Sequence, residues 1–449
     1  MRKERLIQIK ILPAIMVFCL ILGGCGKTAT NNPETNKPVT DKPAIAADSA
    51  QQGQQTSVTP IANTSLQILR KVHSETLRDD DGTVLLNLKI TYPEIKNQGN
   101  DSSIAKINEY YGIQFDDFIS NILSQGQEMA REDKEAAQSS GYEFHPHVYE
   151  RSAEIYYNGN NLLSVQSLQY ENTGGAHPNS VWLSETFDVK TGKKLALTDV
   201  LGGSKEEALA KVYQTVLGKI KATEGTKDFV YQENYSEDVR KNYAEDDFVL
   251  TGSSLMFYYQ LYAIAPYAAG FPEFELPYNQ MKTPALNIPE LPENQLERDL
   301  YDQAGKLIDR NKEAYFDIFG LTMLKMDIPE KHAENEVLFP VTDDSFTSYA
   351  DLEQFVRGTY IKSEADSSLG NGRYRDLDGK LYGDISKDTG MGYNVNWNDY
   401  SYKIDDMTET SASLHIFTTD DSPAGQKDTT LTARIQKENG VWLLEKMVY

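Results

Sequence analysis

The 449-residue sequence predicts an α+β fold laid out as two successive domains. Three observations carry that expectation. Between Ile104 and Ile122, apolar side chains recur every three or four residues, the period of one helix face. Over residues 142–189 they come instead in runs punctuated by the turn signals Asn158-Gly159 and Thr191-Gly192, the pattern of antiparallel strands. From Asp399 to the end the strand pattern returns, closing with the tight turn Glu438-Asn439-Gly440.

The amino terminus is basic, with Arg2, Lys3, Arg5 and Lys10, and residues 11–22 form an apolar run interrupted by Pro13. That run is too short for a membrane-spanning helix and no stop-transfer charges follow it, which is the pattern of an export signal. It closes on Leu22-Gly23-Gly24-Cys25. This tetrapeptide resembles the lipobox of bacterial lipoproteins, which implies a signal peptide over residues 1–24 and acyl chains on Cys25, at the extracytoplasmic face of the cell membrane. The other cysteine, Cys19, would leave with the signal, so the mature chain is expected to fold without disulfides. Residues 25–62 are rich in Thr, Asn, Pro, Gln and Ala and nearly free of large apolar side chains. Such a composition cannot bury enough surface to fold and reads as a disordered tether.

The first globular domain is expected over residues 63–289. Asp79-Asp80-Asp81-Gly82 reads as a hairpin turn, and Leu85, Leu86, Leu88 and Ile90 as a strand stopped by Tyr92-Pro93, because proline has no N–H for a ladder. Ile104, Ile107, Tyr111, Phe115, Phe118, Ile119 and Ile122 line the core face of a long helix. Strands over 142–157, 162–170 and 181–189 follow. Ser204 with Glu207 forms a capping box that opens a helix with Leu209, Val212, Tyr213, Val216 and Ile220 inward. Two more strands, over 248–251 and 254–262, flank Gly252-Ser253. Residues 290–328 read as a charged helical connector with Leu296, Leu300, Leu307, Ile308 and Phe316 apolar. The second domain, residues 329–449, begins with a helix over 346–361 and ends in strands over 399–404, 411–418, 429–437 and 441–449.

The formal net charge is -23, and residues 1–24 hold four basic residues and one acid, so the mature chain stands at about -26. Such a surface repels nucleic acid and anionic lipid and attracts cationic partners.

The runs SLQYENTGGAHPNS (residues 167–180), FDVKTGKKLALTDVL (187–201) and LMFYYQLYAIAPYAAGFPEFELPY (255–278), preceded by LLNLKITYPEI and the long helix, resemble the extracytoplasmic domain shared by RsiV-type anti-sigma factors and PdaC-type peptidoglycan deacetylases. The resemblance covers about half the chain and implies a helix packed on an antiparallel sheet. It also implies affinity for a muramidase or for cell-wall glycan, as RsiV-type domains bind lysozyme. The cytoplasmic sigma-binding segment and the metal-binding Asp and His motifs of the deacetylase domain are missing from the sequence, so neither of those activities is expected. The carboxy-terminal domain is similar to cystatin-like or NTF2-like folds, and YRDLDGKLYGDIS (374–386) with GMGYNVNW (390–397) resembles IseA-type endopeptidase inhibitors.

Gly174-Gly175 and Pro178 shape a loop between two strands, on which Tyr170, Gly174, Gly175, His177 and Asn179 are the expected binding residues. The alternative reading makes the loop a brace, with His177 bonded to backbone. The segment 262–271, with Pro266, Tyr267 and Gly270, reads as a buried corner. His145 and His147 at i and i+2 on one strand face, joined by His177, would make a three-imidazole cluster of the kind zinc accepts, but strand histidines at that spacing are usually surface residues and no metal is expected. No His-Glu-x-x-His, Gly-x-Ser-x-Gly or phosphate-binding glycine loop occurs. The expectation is a non-enzymatic, cofactor-free binding lipoprotein that captures, inhibits or senses lysozyme-like or other cell-wall hydrolases. The alternative is a wall glycan hydrolase or esterase.

Overall fold

The computed structural model describes residues 65–449 except 233, 282–283, 293–294, 321, 329–336, 378, 389–394 and 423–424. The expected signal peptide, Cys25 and the whole of the tether lie outside the described residues, as does most of 390–397. Among the described residues, no helix is long and apolar enough to cross a membrane.

β1 (Ile68–Arg78) and β2 (Val84–Ile95) form a hairpin. Its turn is the expected one, with Gly82 at φ 85° and its N–H on the Asp79 carbonyl. α1 (Ser102–Asn121) then runs through one π turn into α2 (Gln127–Ser140), further than the apolar period foretold. The extension buries only Ala130, Lys134 and Ala137, side chains too small or too polar to register as a stripe. Lys134 closes the package by donating to Asp79 and Asp81 at 2.6 Å each.

β3 (His147–Gly159), β4 (Leu162–Asn172), β5 (Asn179–Asp188) and β6 (Lys193–Lys194) continue as an antiparallel meander. The turn before β6 needs its glycine: Gly192 sits at φ 69°, and a Cβ there would stand 2.6 Å from the Ser103 carbonyl. β2 and β3 pair in parallel, an exception to the antiparallel expectation, because α1 and α2 carry the chain across the sheet. Proline does not end β2 as expected. The strand runs on to Ile95 against β1, and it is the β2–β3 ladder that stops, at Thr91 and Ser152.

On one sheet face α1 packs through Ile107, Tyr111 and Phe118, and the π turn after it through Ile122. On the other lie α3 (Leu197–Leu201), α4 (Lys205–Thr223), α5 (Tyr235–Lys241) and the small sheet β7 (Phe248–Leu250), β8 (Ser254–Tyr258) and β9 (Glu273–Pro277). The Ser204–Glu207 capping box opens α4 as expected.

α6 (Gln295–Glu313) leads to β10 (Leu338–Pro340), α7 (Tyr349–Arg357), α8 (Lys362–Leu369) and the hairpin β11 (Tyr374–Leu377) with β12 (Lys380–Asp384). The chain ends with β13 (Asp399–Asp405), β14 (Ser411–Ser422), β15 (Gly425–Glu438) and β16 (Val441–Leu444). The protein is thus α+β, but the two expected domains share a sheet. β13 pairs with β1, giving one ten-stranded order β16-β15-β14-β13-β1-β2-β3-β4-β5-β6. β1 supplies the seam, and its Val72 belongs to the same core as Leu300, Leu352, Tyr402 and Ile416.

Candidate functional site

The loop between β4 and β5 packs against the long connection from β8 to β9, and the two together build a surface of aromatic rings. Gly174 takes φ 82°, the left-handed conformation expected of it, whereas Gly175 does not use a positive φ. The exposed His177 ring stacks on Tyr267 with centroids 4.3 Å apart and planes 24° from parallel. Its Nδ1 lies 3.0 Å from the Pro178 carbonyl, which can only accept, and so carries the hydrogen. Nε2 is then left to accept from the Tyr262 hydroxyl, also at 3.0 Å. Tyr267 donates to the same Pro178 carbonyl at 3.3 Å. His177 is therefore both brace and surface residue.

Tyr262 is 55 % exposed and holds a φ of 64° without being glycine. The segment expected to be a buried corner turns only Ile264 and Ala265 fully inward, leaving Tyr262 exposed and Tyr267 half-buried. Behind them Trp182 of β5 lies flat on Phe271, centroids 4.2 Å apart and planes within 6°. Gln260 clamps the Trp182 backbone, accepting its N–H at 3.0 Å and donating to its carbonyl at 2.8 Å. The same amide approaches Asp247 Oδ1 at 3.4 Å. Asp247 is buried, its Oδ2 has no hydrogen-bond partner, and burial raises its carboxyl to about 6.

Of the other expected binding residues, Asn179 opens β5 in an exposed position opposite Glu171. Tyr170 is half-buried on β4 opposite Ser180 and, among the described residues, joins no ring pair of this cluster. The structure therefore brings His177 together with Tyr262 and Tyr267, which the sequence reading placed elsewhere, and leaves Tyr170 at the margin. The histidines do not share a strand face. His145 precedes β3 and is exposed, His147 is buried with Nε2 3.3 Å from Asp133, and His177 faces the tyrosines. Among the described residues, no group of three or more His, Cys, Asp or Glu is arranged to hold a metal ion.

Residues 80–180 match the family model described as deacetylase PdaC, and residues 201–279 match the one described as a protein of unknown function, DUF3298. The chain carries a PdaC/DUF3298-type domain. The aromatic surface forms where these two segments meet, with His177 in the first and Tyr262, Tyr267 and Phe271 in the second. No curated protein matches the chain. Among solved structures it is similar to a DUF3298 family member from Bacteroides fragilis NCTC 9343, at 20% identity and a TM-score of 0.37, over 49% of this chain and 93% of that one. It is also similar to a DUF3298 family protein from Pseudomonas aeruginosa PAO1, at 16% identity and a TM-score of 0.34, over 48% and 92% of the two chains.

Proposed function

We propose that this is an extracytoplasmic binding lipoprotein, anchored through Cys25, whose RsiV-like domain captures a basic muramidase or another cell-wall hydrolase. The observation that supports this reading best is the ring surface of the exposed His177 and Tyr262 with the half-buried Tyr267, fixed by three hydrogen bonds. Aromatic side chains held in place before contact lose little entropy on binding and are the commonest anchors of protein interfaces. The acidic mature chain would steer a basic enzyme toward it. On the same reading nucleic acid is no partner, and residues 329–449 form a cystatin-, NTF2- or IseA-like module, in keeping with α7 and α8 preceding the strands β13 to β16.

The test is calorimetry of the chain from Cys25 onward, made without lipid, against hen-type lysozyme. A saturable complex that weakens as salt rises is expected. No heat at low salt with any basic muramidase would remove the proposal. The alternative of a wall hydrolase or esterase has the description of the matching PdaC model and the carboxyl of Asp247, raised by burial to about 6, in its favour. Acetyl or glycan turnover by the purified chain, lost in Asp247→Asn, would decide for it.

A further inference from the structure

β1 and β13 pair from His73 opposite Asp399 to Arg70 opposite Tyr402, and there they part. Beyond that point Ile68 and Leu69 remain paired with β2, and residues 403–405 with β14. Between the diverging strands opens a cleft of about 590 Å3, lined among others by Arg70, Lys96, Tyr156, Arg298, Tyr301 and Lys403. Tyr301 enters it from α6, accepting the Ile404 N–H at 3.2 Å in place of the missing strand partner.

The charge around this cleft runs against that of the whole molecule. Four of its lining residues are cationic, and the acids among them are Glu297 and Asp405, in a mature chain of about -26. Lys403 is matched by Asp405. Arg70 is not matched: its side chain is buried, Nη1 donates to the Ala153 carbonyl at 3.0 Å, and the guanidinium lies 5.1 Å from the Tyr301 ring centroid. Among the described residues no carboxylate forms an ion pair with it, nor with Lys96, whose ammonium lies over the Phe417 ring. A buried guanidinium without a counter-charge is costly, and a bound anion is what would offset that cost. The fork of Arg70 suits a carboxylate in particular.

The cleft is also far larger than a bare anion needs and lies within the roughly 300–1,000 Å3 of small-molecule sites. Tyr156 and Tyr301 line the cleft, each ring carrying a guanidinium: Arg298 lies 5.4 Å from the first centroid and Arg70 5.1 Å from the second. We propose that this cleft is a second binding site, independent of the aromatic surface, that takes an acidic sugar. Its carboxylate sits against Arg70 and Lys96 and its ring packs beside the side chains of Tyr156 and Tyr301.

The experiment is a ligand-observed NMR titration of the chain from Cys25 onward with D-glucuronate, using D-glucose and inorganic phosphate as comparisons. Saturable glucuronate binding is expected, at least tenfold tighter than either comparison. The half-exposed Lys96→Glu, which leaves the strand ladders untouched, is expected to weaken it at least tenfold, and Arg70→Met to abolish it. If Arg70→Met does not fold, Lys96→Glu decides alone. Absence of saturable binding, phosphate or glucose binding as tightly as glucuronate, or an unchanged affinity in Lys96→Glu would each overturn the proposal.

Discussion

Asp247→Asn is expected to change the sign of its effect on stability between alkaline and acid solution. In the folded chain the carboxyl is buried, Oδ2 has no partner, and its protonation midpoint rises from 3.8 to about 6. Folded protein therefore holds this proton more tightly than unfolded chain, so the group penalises folding above pH 6 and the penalty vanishes as pH falls through 6 toward 3.8. A midpoint displaced that far costs the ionised folded state about 3 kcal/mol. Asparagine removes the charge but leaves an amide hydrogen where Oδ2 had no partner, which costs about 1 kcal/mol. The variant should thus be more stable than wild type by about 2 kcal/mol at pH 8 and less stable by about 0.5 kcal/mol near pH 4. Urea unfolding followed by tryptophan fluorescence, at both pH values, measures the two differences. Equal differences at pH 4 and pH 8, or a destabilised variant at pH 8, would refute the reasoning.

The seam between β1 and β13 carries its own pH dependence. His73 Nδ1 lies 2.6 Å from Asp399, and that hydrogen bond raises the imidazole above 6.5 and lowers the carboxyl below 3.8. The pair should stabilise fully below about 6.5 and fade as pH rises through the folded histidine's value, while acid below about 4 removes the carboxylate half. The advantage of wild type over His73→Gln in thermal melting should therefore be largest near pH 5 and shrink by pH 9. A chain ending at residue 289 would leave β1 as an open edge stripped of β13, so it should aggregate or melt at lower temperature than the whole chain in a light-scattering melt. Cys25→Ser should move the protein from the membrane to the soluble fraction without changing its melting temperature. Leu88→Ala, in the core under α1, should cost about 2–5 kcal/mol in urea unfolding.

Much of the fold was legible where one physical signal dominated. The α1 period, the Ser204 capping box, the turns at Gly82, Gly192 and Gly440, and the closing strands all rest on local chemistry that tertiary structure did not override. β1 was illegible because ILRKVHSETLR alternates poorly. As the middle strand between two halves it is judged by partners more than 300 residues away, such as Asp399 for His73. The helix expected over 346–361 proved to be α7 alone, which stops at Arg357, and α8 begins only at Lys362. In the candidate site, His177 and its glycine were readable from the loop sequence. Tyr262 and Tyr267 were not, because an aromatic-rich run gives no period to say which rings face inward. Asp247 and Arg70 escaped notice because burial of a charged group without a counter-charge is a property of the packed chain, not of the residue.

The claim that the ring surface binds is tested most directly by a single comparison. Calorimetric titration of hen-type lysozyme into wild type and into Tyr262→Ala/Tyr267→Ala, at low salt and with matched melting temperatures, isolates the surface from the fold. The account predicts a complex with wild type and an affinity at least a hundredfold weaker in the double variant, since two interface anchors of roughly 2 kcal/mol each are lost. Equal affinities in the two proteins would contradict it.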